Sequence, residues 1–360
     1  MSLVSIPKIC MLIIGIWPSE LIENPVRKRL YMIHKYILII FVFSITLSLT
    51  IEWLIIYLKN KVPQMFLSLL EFEADLKSSD DAEVKMFYRK ILKNNRYLNI
   101  GVIIATFFTI SSFVIIHLAK LWQVGVAEWD LNEAGFMYEL YVPFDMKKYI
   151  VVVLFYNLYT ATIGGVLNIM CLITMYTLII FSALQLSTLS LRIKKFHTFV
   201  GIYGTNIQAT LKVIIKQHQK SIEFVDNLNK SVRYVVFIDF LLNSANVASV
   251  LFYLVTVKSV YLFYAILLLS LQLLQVFALA WVSNEVKLES VKVADAVYES
   301  PWYEQDQKIK KMLHIILMRS QKPLAITIGP FKPMTAETAI MTLQASYSYA
   351  TLMMNSYKDE

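Results

Sequence analysis

Between Lys148 and Arg192 the chain runs for 43 residues, 149–191, without a charged side chain. A helix of that length covers roughly 65 Å, about twice the ~30 Å hydrocarbon core of a bilayer. Further runs cover residues 36–58, where Glu52 is the one charge, 97–119, 240–257, 259–284 and 338–357. Over all 360 residues, 57% are hydrophobic and 17% charged, with a mean hydropathy of +0.57. A water-soluble fold has no place to hide that much apolar surface. Hydrocarbon satisfies no backbone hydrogen bonds, so spanning segments are helices or a closed barrel, and these runs are too long and unbroken for barrel strands. The expected fold is all-α, a polytopic transmembrane helical bundle.

Orientation follows from the basic residues, because cytosolic loops retain Lys and Arg. Five lie in 1–35, eight in 59–97, eight in 192–233 and eight in 286–333, whereas 119–148 holds three and Lys258 and Lys358 stand alone. The N-terminus is thus expected in the cytosol and the C-terminus outside. Two spans in 149–191 would put the basic 192–233 segment outside, so one long helix is expected there. Its second half is more polar, with Ser182, Gln185, Ser187, Thr188 and Ser190, as suits a helix leaving the membrane into a cytosolic bundle. An inside start and an outside end need an odd number of crossings, yet six runs are visible. The chain must return between residues 53 and 70, where Lys59, Asn60 and Lys61 interrupt the apolar material and a full second span does not fit.

The net charge of +8 does not point to nucleic acid, since the basic residues lie between apolar runs instead of forming one face with stacking aromatics. The five His residues are scattered, none at ligand spacing from another His or a Cys, so neither an enzyme nor a metal or other cofactor is expected. Cys10 and Cys171 imply no disulfide framework and read as small buried residues. The apolar stretch 9–17 lacks a signal-peptide cleavage site and reads as a short interfacial or re-entrant element. His218, beside Lys216 and Lys220 on an amphipathic cytosolic helix, reads as solvated or hydrogen-bonded. Intramembrane acids are few, Glu52 and Asp239, each near the end of a run. A proton-coupled secondary transporter wants such groups near the midplane, and a G-protein-coupled receptor would have its N-terminus outside.

Ser300 before Pro301 predicts a helix start, a hydroxyl cap and then proline at the first helical position. Ile309, Met312, Leu313, Ile316 and Leu317 follow at helical spacing beside Lys308, Lys310 and Lys311, an apolar stripe that needs a protein partner or a membrane surface. The last span opens after Pro333, with Thr335 as a possible cap and Glu337 in the first turn. Along it Gln344, Ser348, Thr351 and Asn355 fall on one face. That face serves either interhelical hydrogen bonding or a water-filled pore, where Leu352 could close the path by dewetting.

Three motifs in order then carry a family likeness: Val297-Tyr298 before Pro301-Trp302-Tyr303, Arg319-Ser320-Gln321-Lys322-Pro323-Leu324, and Ser346-Tyr347-Ser348-Tyr349. A weaker match runs through Gly15-Ile16-Trp17-Pro18 and Asp75-Leu76-Lys77. The sequence resembles the insect odorant receptors, most strongly over 294–357. The resemblance implies a seven-span, N-inside, odorant-gated cation channel subunit that forms a heterotetramer with an olfactory co-receptor in the plasma membrane of olfactory sensory neuron dendrites. It divides the chain into a cytosolic N-terminal segment (1–35), a transmembrane bundle with the ligand pocket (36–284), a cytosolic anchor helix region (285–333) and a pore-lining last helix (334–360). It places Leu352 and Ser356 at the outer gate with Asn355 adjacent, Ser356 departing from the aliphatic residue of the co-receptor. It puts volatile odorants in the outer half of the membrane, among Phe107 and Ser111, Tyr156, Tyr159 and Ile163, and Tyr261, Tyr264 and Leu268. The bland alternative for each of these is interhelical packing or tyrosine anchoring at the membrane surface. The shortened second span departs from the family and leaves a non-functional truncated receptor as one alternative; a secondary transporter of small apolar molecules is the other.

Overall fold

The computed structural model describes residues 62–78, 82–124, 150–200, 206–256 and 262–358, together with residue 202. Seven α-helices fill these ranges: α1 (Val62–Ser78), α2 (Ala82–Val124), α3 (Ile150–Lys194), α4 (Ile207–Thr256), α5 (Leu262–Glu299), α6 (Gln307–Ser320) and α7 (Ala336–Lys358). Short 3-10 turns lie at Phe196–Phe199 and Trp302–Glu304. The uncharged run 149–191 is one helix, α3, of 45 residues. Among the described residues, α2 to α5 are the helices long and apolar enough to cross a membrane. At about 1.5 Å per residue α7 also reaches ~34 Å, a bilayer's width. The interfacial stretch 9–17, Cys10, Glu52 and the doubtful crossing before Val62 lie outside the described residues.

Each long helix has an apolar part and a more polar part, and the fold gathers the polar parts at one end. α1 packs there against α2, α3 and α4. Lys195 pairs with Glu83 at the start of α2, and Lys194 with Glu299 at the end of α5. Arg192 is only 2% exposed, and its Nη2 lies 2.9 Å from Asp75 Oδ2 on α1. The core lies around α3, whose Ile173, Tyr176, Ile179, Phe181, Leu184 and Ile193 are fully buried. The Phe181 ring meets Phe72 of α1 edge-on at 5.5 Å and Phe224 of α4 at 5.0 Å, contacts worth about 0.5–1.5 kcal/mol each beyond the area they bury. Tyr176 Oη donates to the Gln275 carbonyl of α5 at 3.1 Å. Cys171 is half-buried, more open than expected.

The anchor helix starts later than the sequence suggests. α5 continues to Glu299, and Ser300 Oγ donates back to the Val297 carbonyl at 2.7 Å, so it closes α5 instead of capping a new helix. Pro301 leads into the 3-10 turn, Gln305 is extended, and α6 begins at Gln307 after Asp306. The α6 stripe Ile309, Leu313 and Ile316 is buried, and α6 packs on α5 and α4. Its protein partner is therefore its own bundle.

The loop between α6 and α7 is seated on α4. Thr327 N donates to Asn229 Oδ1 at 2.9 Å and Gly329 N to the Arg233 carbonyl at 2.9 Å. Gly329 has φ +56°, and a Cβ there would sit 3.4 Å from the Phe237 side chain, so glycine fits the turn. Thr335 N donates to Thr338 Oγ1 at 2.8 Å, and the Thr338 hydroxyl donates to the Thr335 carbonyl at 2.7 Å, fixing the start of α7 where the sequence placed it.

His218 lies in the polar part of α4, well before the apolar stretch from Phe240, and is 6% exposed rather than solvated. Burial, with Arg319 of α6 second, pushes its pKa from 6.5 down to about 4. The folded state thus holds it neutral where the unfolded chain takes up a proton. Its stability contribution is complete above pH 6.5 and is lost as pH falls from there toward 4. The melting temperature in detergent should therefore fall as pH drops through that interval, and His218→Leu should flatten the slope. An equal slope in the variant contradicts the assignment.

A second expectation concerns the Arg192–Asp75 pair. Asp75→Ala removes the carboxylate that lies 2.9 Å from a buried guanidinium, so it should destabilise by about 2–4 kcal/mol. Adding Arg192→Met should recover most of that loss. Thermal melts of the two variants decide, and strictly additive losses would count against the pair.

Candidate functional site

α2 presents a buried stripe of Asn95, Asn99, Val102, Thr106, Thr109 and Phe113 toward the bundle. Hydroxyls on it are satisfied within the helix, Thr106 Oγ1 donating to the Val102 carbonyl and Thr109 Oγ1 to the Ala105 carbonyl, each at 2.9 Å. Phe107 is not on this stripe. It is 67% exposed, on a side of α2 away from that stripe. The inward aromatic of α2 is Phe113, whose ring lies 5.3 Å from that of Tyr264 on α5. Ser111 is half-buried.

Of the other expected pocket residues, Tyr159 and Ile163 on α3 and Tyr264 and Leu268 on α5 are half-buried. Tyr261 and the side chain of Tyr156 lie outside what is described. α3 approaches α2 closely at Gly165, where a Cβ would come within 2.8 Å of Ile110 Cδ1. The structure thus joins Tyr264 to α2 through Phe113, a residue that sequence reasoning missed.

Two clefts lie toward the polar end, and neither is lined by the expected pocket residues. One, about 520 Å³, sits between α1, α3 and α4 and is polar, with Asp75, Gln185, Arg192, Lys220 and Glu223 on its walls. The other, about 730 Å³, sits between α2, α3 and α5 and is mainly apolar, with Leu98, Ile180, Leu274, Phe277 and Trp281.

On α7 the two faces differ. Thr338, Ala339, Thr342, Ser346 and Ala350 are buried, and Ser346 Oγ lies 3.2 Å from Ser244 Oγ of α4. Gln344, Ser348 and Asn355 are exposed, Thr351 is half-buried and Leu352 is 67% exposed. The side chain of Ser356 lies outside what is described. Interhelical hydrogen bonding within the subunit therefore uses a different set of hydroxyls from the stripe singled out in the sequence. The Asp239 carboxylate bonds the Asn243 side chain one turn along α4. Among the described residues no cluster of His, Cys, Asp and Glu is arranged to hold a metal ion.

A family model described as 7tm Odorant receptor matches residues 35–347. Odorant receptor 10 of Aedes albopictus is 37% identical over 185 residues, 49% of this chain and 48% of that protein. Odorant receptor Or2 of Anopheles gambiae is 30% identical over 196 residues, half of each chain. The chain thus spans about half the length of these curated relatives. Among solved structures, the insect olfactory receptor OR5 from Machilis hrabei in complex with eugenol superposes with a TM-score of 0.75, covering 98% of this chain and 97% of that one at 17% identity. The same receptor determined without eugenol gives 0.74.

Proposed function

Because the chain belongs to the 7tm odorant receptor family and is a multi-pass helical membrane protein, we propose that it is the odorant-binding subunit of a non-selective cation channel that assembles with an olfactory co-receptor in a heterotetramer. It works in the plasma membrane of olfactory sensory neuron dendrites, with the polar end of the bundle and residues 1–35 in the cytosol. Residues 36–284 form the bundle and its pocket, 285–333 the cytosolic anchor and 334–360 the pore-lining helix.

The observation that carries this reading is the outward polar stripe of α7. Gln344, Ser348 and Asn355 are exposed although the hydrogen bonds of α7 to α4 run through Ser346 on the opposite side. A helix from an uncharged run that turns amides away from its own bundle needs water or another subunit there, while the hydroxyls of Ser348 and Thr351 donate to carbonyls of the helix itself. Four such faces around an axis wet a path for ions, and Leu352 with its neighbours narrows it to a hydrophobic constriction that blocks flow by dewetting. Ser356 makes this subunit's share of the constriction less hydrophobic and leaves more of the barrier to the co-receptor.

Volatile, mostly apolar ligands bind by burial and shape. The pocket is built from Ser111, Tyr156, Tyr159, Ile163, Tyr261, Tyr264 and Leu268, with Phe113 as the aromatic of α2. The contact of Phe113 with Tyr264 supports this wall, and the eugenol bound to the Machilis receptor is the kind of small aromatic that fits it.

Whole-cell recording from cells expressing the chain with the co-receptor tests the proposal. Odorants should evoke a current that persists when sodium is replaced by potassium or caesium. Phe113→Ala should shift the odorant dose response by about tenfold, the scale of one lost aromatic contact, whereas Phe107→Ala should leave it in place. Stoichiometric uptake of the ligand without current would favour a carrier. Silence despite surface expression would refute channel function for this form of the chain.

A further inference from the structure

The buried stripe of α2 begins with two amides that the packing leaves unserved. Asn95 is 3% exposed and Asn99 is 1% exposed, and the Oδ1 atom of each is enclosed without a hydrogen-bond partner. A buried amide oxygen without a donor is costly, and a native site that keeps one usually has a ligand or water to supply it. Asn95 lines the apolar cleft of about 730 Å³ between α2, α3 and α5.

That cleft changes character along its length. Leu98, Ile180, Leu274, Phe277 and Ala278 line one part, and Lys90, Asn94, Glu285, Glu289 and Lys292 line the other. Tyr97 and Trp281 stand at the change, 61% and 71% exposed. Tyr97 opens the uncharged run 97–119, and Trp281 lies in the last turn of the run 259–284. Exposed Tyr and Trp at such positions sit at the level of the lipid headgroups. The cleft therefore straddles the membrane boundary, its mouth in the headgroup layer and its apolar walls in hydrocarbon.

Charge at the mouth narrows the occupant. Two cations and two carboxylates line it, and Lys292 Nζ is held 2.7 Å from Glu289 Oε1. No net field is left to retain a phosphate. What the walls and the orphaned amide select is an uncharged amphiphile with a rigid apolar body and one hydroxyl.

We propose that this cleft is a binding site for membrane sterol. With the Asn95 side chain turned into the cleft that it lines, the sterol hydroxyl donates one hydrogen bond to its amide oxygen. The ring system lies along Leu98, Ile180 and Phe277. Such a site would brace α2 against α5 at the boundary where both helices leave the lipid. It depends on where that boundary falls and not on odorant binding or ion conduction, so it can fail or hold independently of the channel reading.

The full chain, purified in detergent and reconstituted in phosphatidylcholine nanodiscs, is to be labelled with a photoreactive cholesterol analogue and the adducts mapped by peptide mass spectrometry. Adducts should fall on α2 near Tyr97 or on α5 near Phe277. Cholesterol should compete, and cholestenone, which has a ketone in place of the hydroxyl donor, should compete poorly. Asn95→Leu should cut labelling about tenfold, the loss of one hydrogen bond, and Ala278→Phe should cut it by filling the cleft from α5. Monodisperse elution of both variants verifies their folding, and the cholestenone comparison on the unaltered chain stands even if neither folds. Labelling confined to other helices, equal competition by cholestenone or by phosphatidylserine, or labelling unmoved in both folded variants would overturn the site. So would a disulfide between Phe277→Cys and a cysteine placed in residues 36–58, which would show the chain's own segment filling the cleft.

Discussion

The enclosure of α3 is the constraint on which the bundle depends. α1, α2, α4 and α5 all pack against it, and its side chains from Leu172 to Ile179 are buried on every face. A helix surrounded in this way can carry no charge over that stretch, and across the rest of 149–191 hydrocarbon imposes the same exclusion. Three of its hydroxyls are handled locally: Thr174, Ser182 and Ser190 each donate to a carbonyl one turn back. Charge returns only at its end, where Arg192, Lys194 and Lys195 pair with α1, α5 and α2 in turn. One helix thus sets both the apolar interior and the ionic collar at its polar end.

The length of helices was legible because it follows from where charges are allowed. The 45-residue α3 and the start of α7 at Thr335 and Glu337 came from that rule and from ordinary capping chemistry. The orientation of α2 was not legible by the same means. Large apolar side chains lie on every face of its run 97–119, since lipid and protein interior both accept them, so large aromatics do not reveal the inward face. Phe107 faces away, and the inward stripe is marked instead by its polar members, Asn95, Asn99, Thr106 and Thr109. In a membrane helix the polar and small residues mark the protein-facing side, the reverse of the rule for soluble helices. Ser300 differs for another reason: a serine hydroxyl can accept from an amide ahead of it or donate to a carbonyl behind it, and here it donates back to Val297.

The arrangement divides stability from response. The polar end is tied by ion pairs, aromatic contacts around Phe181 and the docked loop 324–334, all of which resist movement. At the apolar end Tyr264 of α5 meets α2 through a ring contact with Phe113. α7 joins the two, fixed at its start by the loop seated on α4 and free along its outward stripe to meet other subunits.

All of this takes the polar end of the bundle to lie in the cytosol. Tyr303, 63% exposed in the turn before α6, offers the most direct check. In a chain with Cys10 and Cys171 changed to Ser, Tyr303→Cys should react with a membrane-impermeant maleimide only after the cells are permeabilised. Equal labelling on intact cells would put the collar, the anchor and the basic segments outside, and the account would fail with them.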